Sequence, residues 1–277
     1  MNGLLRQKLS IVTPKPQTTR HKVLGILSGD DYQAVFLDTP GIIAPRYALH
    51  EVMMQSAASA VADADLVLFM IDASQPRKAE DVENVEAFKT LARISRSVFL
   101  VINKVDCVAK AEILPLIGSY STAFSFKEIF PLSALKLEGM QELLKGIISE
   151  LPVHPPYYPL DIVSEQNQRF FVSEIVREKI FLKCHEEVPY STTVDIVEFK
   201  ERGAGKWFVS ADVYVEKDSQ KGILIGKKGA MLKEIGRLAR HDIEKFLEHQ
   251  VFLDLHVKVR ENWREDESWL RRLGYTS

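Results

Sequence analysis

The feature that most constrains this chain is an ordered set of three short motifs, each closing an apolar run. Asp38-Thr39-Pro40-Gly41 follows Val35-Phe36-Leu37, and Asn103-Lys104-Val105-Asp106 follows Val98-Phe99-Leu100-Val101-Ile102. Ser133-Ala134-Leu135 follows Ile129-Phe130-Pro131-Leu132, and another apolar run, Leu66 to Ile71, stands between the first two motifs. Runs this short and this continuously apolar suit strands buried on both faces of a parallel sheet. Helical stretches are expected between them at roughly 47–63, 79–94, 108–122 and 139–150. Such alternation predicts an open, doubly wound α/β sheet whose ligand lies beyond the carboxyl ends of the strands. All three motifs fall at such ends, which predicts a single crevice.

A chain of 277 residues usually forms two compact domains. The break is expected where Leu151-Pro152-Val153-His154-Pro155-Pro156-Tyr157-Tyr158-Pro159 places four prolines in nine residues, because such a stretch continues neither a helix nor a central strand. This reading gives a nucleotide-binding domain over 1–151, a stiff linker over 152–160 and a second domain over 161–277. The second half reads as a helix from about Gln168 to Cys184, a period-two run over Trp207, Val209, Ala211, Val213 and Val215, a glycine-punctuated helix, and a second period-two run over Val251, Leu253, Leu255, Val257 and Val259. Asp254, His256, Lys258 and Arg260 alternate with that last run, so one face of its sheet is expected to be solvated.

The motif residues suit a guanine nucleotide. An aspartate can accept from both the ring N–H and the exocyclic amine of guanine, a pattern adenine does not offer, and Asp106 is placed to do so. Asn103 is expected to orient the loop and face the purine edge, Lys104 to lie along the ring plane, and the Ala134 amide, between Ser133 and Leu135, to donate to the guanine carbonyl. A site built for those groups rejects an analogue that lacks them, because its polar atoms are left unpaired. Taken alone, Asn-Lys-Val-Asp reads equally as a strand-to-helix turn with an aspartate cap; the three motifs together favour the nucleotide. Asp38 is expected to hold Mg²⁺ through water, and Gly41 to bring its amide to the terminal phosphate. Thr18 or Thr19 would add a hydroxyl ligand to the same Mg²⁺ from a loop that orders with the triphosphate, unless these two simply belong to a polar loop before a strand near Val23. The phosphate-cradling G-x-x-x-x-G-K-[ST] element does not occur in the sequence, so the expectation is a site that can read the base yet holds the phosphates weakly. Its three or four charge-assisted hydrogen bonds would have contributed on the order of 5–10 kcal/mol.

Longer phrases resemble the Era-type GTPases from about Leu4 to Tyr275. Gln7-Lys8-Leu9-Ser10-Ile11-Val12-Thr13 and Lys15-Pro16-Gln17-Thr18-Thr19-Arg20-His21 are similar to that family's first switch region. Gln168-Arg169-Phe170, Ser173 to Lys179, Glu187-Val188-Pro189-Tyr190-Ser191 and Leu273-Gly274-Tyr275 are similar to its KH domain. The wording around Pro155 to Ile162 is closer to plastid or cyanobacterial members. The resemblance implies a truncated P-loop GTPase-like sheet without its first, central strand, followed by an α+β KH domain of type II. Leu4 and Leu5 then stand at the end of the helix that follows the missing loop. It further implies GTP, GDP and Mg²⁺ as ligands, slow GTP hydrolysis, and action as a monomer on the small ribosomal subunit through its ribosomal RNA near the 3′ end. Ile42 and Ile43 follow Gly41 where many GTPases carry a water-orienting glutamine, a substitution usual in this family, or a sign that Ile42 packs under the switch.

Residues of the second half also speak for RNA on their own. Gly226-Lys227-Lys228-Gly229 is a G-x-x-G turn between helical stretches, where paired glycines admit a nucleic-acid backbone and two lysines meet its phosphates. Lys217, Lys221, Lys233, Arg237 and Arg240 surround it against Asp218 and Glu234, a local basic patch within a chain of net charge −2. The bland alternative is a helix-capping glycine beside a solvated basic face. A KH turn takes about four unstacked nucleotides, which points to single-stranded RNA. The seven histidines and two cysteines show no metal-ligand spacing. Cys107 and Cys184 fit a reducing compartment, namely the cytoplasm, an organellar matrix or a plastid stroma, and the chain shows no transit peptide and no bilayer-spanning run. Trp263, Trp269, Leu270 and Leu273 read as a stripe packed on the KH domain, with peripheral membrane or ribosome contact as the alternative. Three readings follow: an Era-type GTPase with a shortened start, an RNA-binding adaptor with a vestigial nucleotide site, and a non-enzymatic assembly scaffold.

Overall fold

The computed structural model describes residues 1–75, 82–203 and 205–275. They form two compact units whose membership does not follow chain order. The first holds Met1–Lys8, Lys22–Ala44 and Met54–Ser164; the second holds Leu9–His21, Pro45–Met53 and Glu165–Ser277.

In the first unit a short helix α1 (Asn2–Leu5) precedes the hairpin β1 (Val23–Ser28) and β2 (Gln33–Asp38). Helix α2 (Ala48–Asp63, of which Ala48 to Met53 belong to the second unit), strand β3 (Leu66–Asp72), helix α3 (Val82–Leu91), strand β4 (Ser97–Asn103), helix α4 (Lys110–Ala123), strand β5 (Glu128–Pro131) and helix α5 (Met140–Glu150) follow. Residues 79–81 of the expected second helix lie outside the described residues. The β3-β4-β5 sheet is parallel, as the apolar runs predict, whereas β1 and β2 pair antiparallel in a sheet of their own. The continuous doubly wound sheet is therefore divided: among the described residues no strand pairs with both sheets. Strand β4 shows why a fully apolar run was needed. Val98, Leu100 and Ile102 enter a cluster with Phe88, Leu91 and Tyr120, while Phe99 and Val101 enter another with Leu132, Leu143 and Ile147. A strand that serves two cores has no face left for polar side chains.

The proline-rich stretch packs with the first unit instead of standing free. Gln33 clamps Tyr158, donating to its carbonyl and accepting from its amide at 2.9 Å each, and the Ile26 amide donates to the Val163 carbonyl at 2.8 Å. The contact boundary thus falls after Ser164, beyond the 152–160 linker.

The second unit runs α6 (Gln168–Lys183), β6 (Thr193–Lys200), β7 (Trp207–Val215), α7 (Asp218–Ile225), α8 (Ala230–Leu247), β8 (Val251–Val259) and α9 (Glu267–Arg272). Strands β6 and β7 are antiparallel and β7 and β8 parallel, in the order β6-β7-β8. Val209, Ala211, Val213 and Val215 lie under Val172, Val176 and Ile180 of α6 and Ile235, Ala239 and Ile243 of α8, so the period-two face is the buried one. On the opposite face Asp212 accepts from Lys258 at 2.7 Å and from the Tyr214 hydroxyl at 3.0 Å. Trp263 is buried and donates its indole N–H to the Ser191 carbonyl at 2.8 Å, Leu270 is buried, and Trp269 stands edge-on to Tyr214. The tail stripe therefore packs onto this unit.

Candidate nucleotide and RNA sites

The end of β4 and the loop after β5 are joined through one side chain. Asn103 Oδ1 accepts from its neighbour's amide, Lys104, at 2.8 Å and from the Ala134 amide at 3.0 Å. Asn103 thus orients the loop, and the Ala134 donor that the sequence reading assigned to the guanine carbonyl is engaged by Asn103. Lys104 sits in the left-handed region, φ 64°, which turns the chain sharply into a single 3-10 turn carrying Asp106. The Ser133 hydroxyl beside Asp106 is the largest influence holding that carboxyl below its usual range, with Lys136 adding to it. Asp106 is therefore an anion and a pure acceptor near neutral pH, as recognition of two N–H donors requires. Ser133 is itself buried and anchored by a two-way backbone bridge to Glu138, while Leu135 is 86% exposed at the loop tip.

Asp72, at the carboxyl end of β3, was missed by the sequence reading. Its Oδ2 accepts from Lys104 Nζ at 2.5 Å, and its Oδ1 accepts from the amide and hydroxyl of Ser74 at 2.9 and 2.6 Å. Burial pushes the Asp72 carboxyl upward, but these donors outweigh it and leave the group below the usual carboxylate range. The available signal was its position as the polar residue ending an apolar run, in register with Asn103.

The phosphate and Mg²⁺ candidates belong to different units. Asp38 ends β2 in the two-stranded sheet, and Gly41 follows it with open space where a Cβ would stand. Thr18 and Thr19 belong to the second unit. There the Thr18 hydroxyl hydrogen-bonds Thr13 Oγ1 at 2.7 Å and the Lys15 carbonyl at 2.8 Å, and the Thr18 carbonyl accepts from Arg177 at 2.6 Å. The flanking cations fasten this segment to main-chain carbonyls. Lys15 donates to those of Phe181 and Cys184 at the end of α6, and Arg20 to those of Pro189, Tyr190 and Thr192.

At the RNA candidate, α7 ends on Gly226 with φ 72° and ψ 175°, Lys228 takes φ 52°, and Gly229 takes φ 77° as α8 begins. A Cβ on Gly226 would lie 2.7 Å from Met231 Cβ, so only glycine lets the first turn of α8 close over this point. Lys227 and Lys228 are exposed, and their side chains form no hydrogen bond or ion pair with any described residue. Arg237 differs from the expected free patch: it grips Glu234 with two 2.9 Å hydrogen bonds, and together with Lys183 it pulls that carboxyl down to about 2. Ile223, half-exposed on α7 just before the turn, adds an apolar contact that no motif signalled.

The fold and these sites define a class: a P-loop-GTPase-type α/β domain followed by a KH domain. Residues 1–104 match the family model described as a 50S ribosome-binding GTPase, and residues 187–264 match the KH domain model. GTPase Era of Syntrophus aciditrophicus is 45% identical over 276 residues, covering 99% of this chain and 89% of its own length. A chloroplastic GTPase ERA-like protein of Arabidopsis thaliana is 45% identical over 276 residues, covering 99% of this chain and 64% of its own. A crystal structure of Era in complex with MgGDPNP and nucleotides 1506–1542 of 16S ribosomal RNA matches with a TM-score of 0.94 and 38% identity, over 100% of this chain and 93% of that one. The chain belongs to the Era family of GTPases.

Proposed function

We propose that this chain is a guanine-nucleotide-binding protein that binds small-subunit ribosomal RNA near its 3′ end and assists assembly of that subunit. The observation that carries the reading is the likeness, over the whole chain, to an Era structure holding MgGDPNP and a 16S ribosomal RNA segment. The residues at the base-reading end fit a guanine: an ionised Asp106, an Asn103 that ties two loops together, and Lys104 held by Asp72. At the phosphate end Asp38 would hold Mg²⁺ through water, Gly41 would offer its amide, and Thr18 or Thr19 would add a hydroxyl. Mg²⁺ when bound neutralises the phosphate charge. The Gly226–Gly229 turn with Lys227 and Lys228 would clamp single-stranded RNA as a monomeric KH module. The plant relatives are described as chloroplastic, which supports a plastid stroma or a bacterial-type cytoplasm as the site of action.

The test is a pair of titrations of the full chain, one with labelled GDP and GTP plus Mg²⁺ against ATP, the other with a small-subunit 3′-end oligoribonucleotide. Guanine-selective binding together with RNA binding that Gly229→Asp abolishes is expected. RNA binding without guanine selectivity would make the chain an RNA-binding adaptor, and binding of neither would leave the scaffold reading.

A further inference from the structure

The sheet of the second unit has one face under α6 and α8; the other is covered at Tyr214, where Trp269 packs, and open at its Phe252 end. On the open face Phe208 of β7 stands in register with Phe252 of β8, their rings stacked at 5.9 Å between centroids with planes 12° apart. Phe252 is 56% exposed, and so to a similar degree is Val197, the residue at the bulge of β6. The Arg202 guanidinium, in the connection between β6 and β7, lies 5.9 Å from the Phe208 ring. Lys206 is exposed in the same connection and forms no hydrogen bond or ion pair with any described residue, and the two cations face Glu201 alone there. Elsewhere on this face Lys200 pairs with Glu198, His256 with Asp254, and Lys258 with Asp212, while Asp195 stands in register with Asp212.

An exposed Phe252 ring parallel to a half-buried Phe208 ring, flanked by cations without anionic partners, matches what an unstacked nucleobase and its phosphates present. Two rings and a valine are far less than the roughly 800 Å² a stable protein interface takes from each partner. We propose that this face is a second contact for single-stranded RNA, with bases stacking on Phe208 and Phe252 while Arg202 and Lys206 meet the neighbouring phosphates. It rests on the RNA-binding reading of the Gly226–Gly229 turn and extends it. Helix α8 begins at that turn and, with 18 residues, spans about 27 Å before the chain enters β8. The two contacts are therefore separate, and a tetranucleotide held by the turn does not reach the phenyl pair.

The experiment titrates the full chain with random-sequence oligoribonucleotides of about four and about twelve nucleotides, lengths bracketing one turn and a longer track. Phe208→Ala with Phe252→Ala should weaken the longer strand about tenfold or more, the loss of one stacked base. The shorter strand should bind as before, which also certifies that the variant is folded, and Phe252→Trp should retain the longer strand. Unchanged affinity for the longer strand in the double variant, with the shorter strand still lost on Gly229→Asp, would overturn the proposal. Failure of the unaltered chain to bind either strand would overturn this proposal and the RNA-binding reading together.

Discussion

Gly226 and Gly229 are three residues apart and both take positive φ, yet the structure gives them different burdens. A methyl on Gly226 meets Met231 at 2.7 Å, while one on Gly229 meets nothing within 4 Å. Gly229→Ala should therefore cost only its backbone strain, about 1–3 kcal/mol, and Gly226→Ala clearly more. Thermal melts of the two variants check this, and equal losses would refute the packing argument. His21 gives a second prediction at this scale. It stacks on Tyr275 at 4.1 Å between centroids, and burial pushes its imidazole down to about 4, with Glu174 opposing. His50 is pushed to about 4 by burial and then by Arg20 and Arg264. Both folded values lie below the unfolded value of about 6.5, so the unfolded chain binds more protons between them. Stability is then complete above about pH 6.5 and falls as pH drops toward 4. Urea midpoints at pH 7 and pH 5 should differ, and the difference should shrink in His21→Phe; an undiminished difference would rule His21 out as a source.

The decisive element is the segment Leu9–His21, which has no regular secondary structure and is held by side chains bonding to main chain and by the buried Leu9 and Ile11. Arg20 is buried and satisfies three carbonyls that the 189–192 turn leaves without helical or sheet partners. Arg20→Ala should strand those carbonyls at a cost of about 3–5 kcal/mol, in line with the removal of one partner from a buried charged network. Hydrogen exchange across residues 9–21 should accelerate with it, whereas unchanged protection there would mean that Lys15 and Arg177 suffice. The same segment carries Thr18 and Thr19, and the Thr18 hydroxyl, read as a Mg²⁺ ligand, is here engaged by the Lys15 carbonyl of the second unit.

At the scale of the molecule, the units are assembled from interleaved pieces of chain. Leu9, Ile11, Leu49 and Met53 are buried members of a unit whose main body begins at Glu165. A fragment of 165–277 lacks these apolar groups and also the Thr18 carbonyl that Arg177, 1% exposed, donates to. It should melt at least about 10 °C below the same unit in the full chain, since each kcal/mol lost moves a domain of this size by roughly 4–8 °C. Coincident transitions would show that the two N-terminal segments are decoration.

Much of this architecture was legible because it is local. The runs at Leu66–Ile71 and Val98–Ile102 had to be doubly buried strands, the alternation over Val251–Val259 had to leave one face wet, and the glycines of Gly226–Gly229 had to mark a tight turn, since each follows from the period and sterics of a few consecutive residues. The sequence by itself also determined the guanine-type loop motifs and the Era family membership that the relatives bear out. Only the tertiary structure decided that the Ala134 amide is taken by Asn103, that Asp72 holds Lys104, and that Leu9–His21 packs with residues more than 150 positions later in the chain. Those pairings join residues with no fixed spacing, so no periodicity encodes them; they exist because buried donors and acceptors must find partners wherever the fold brings them.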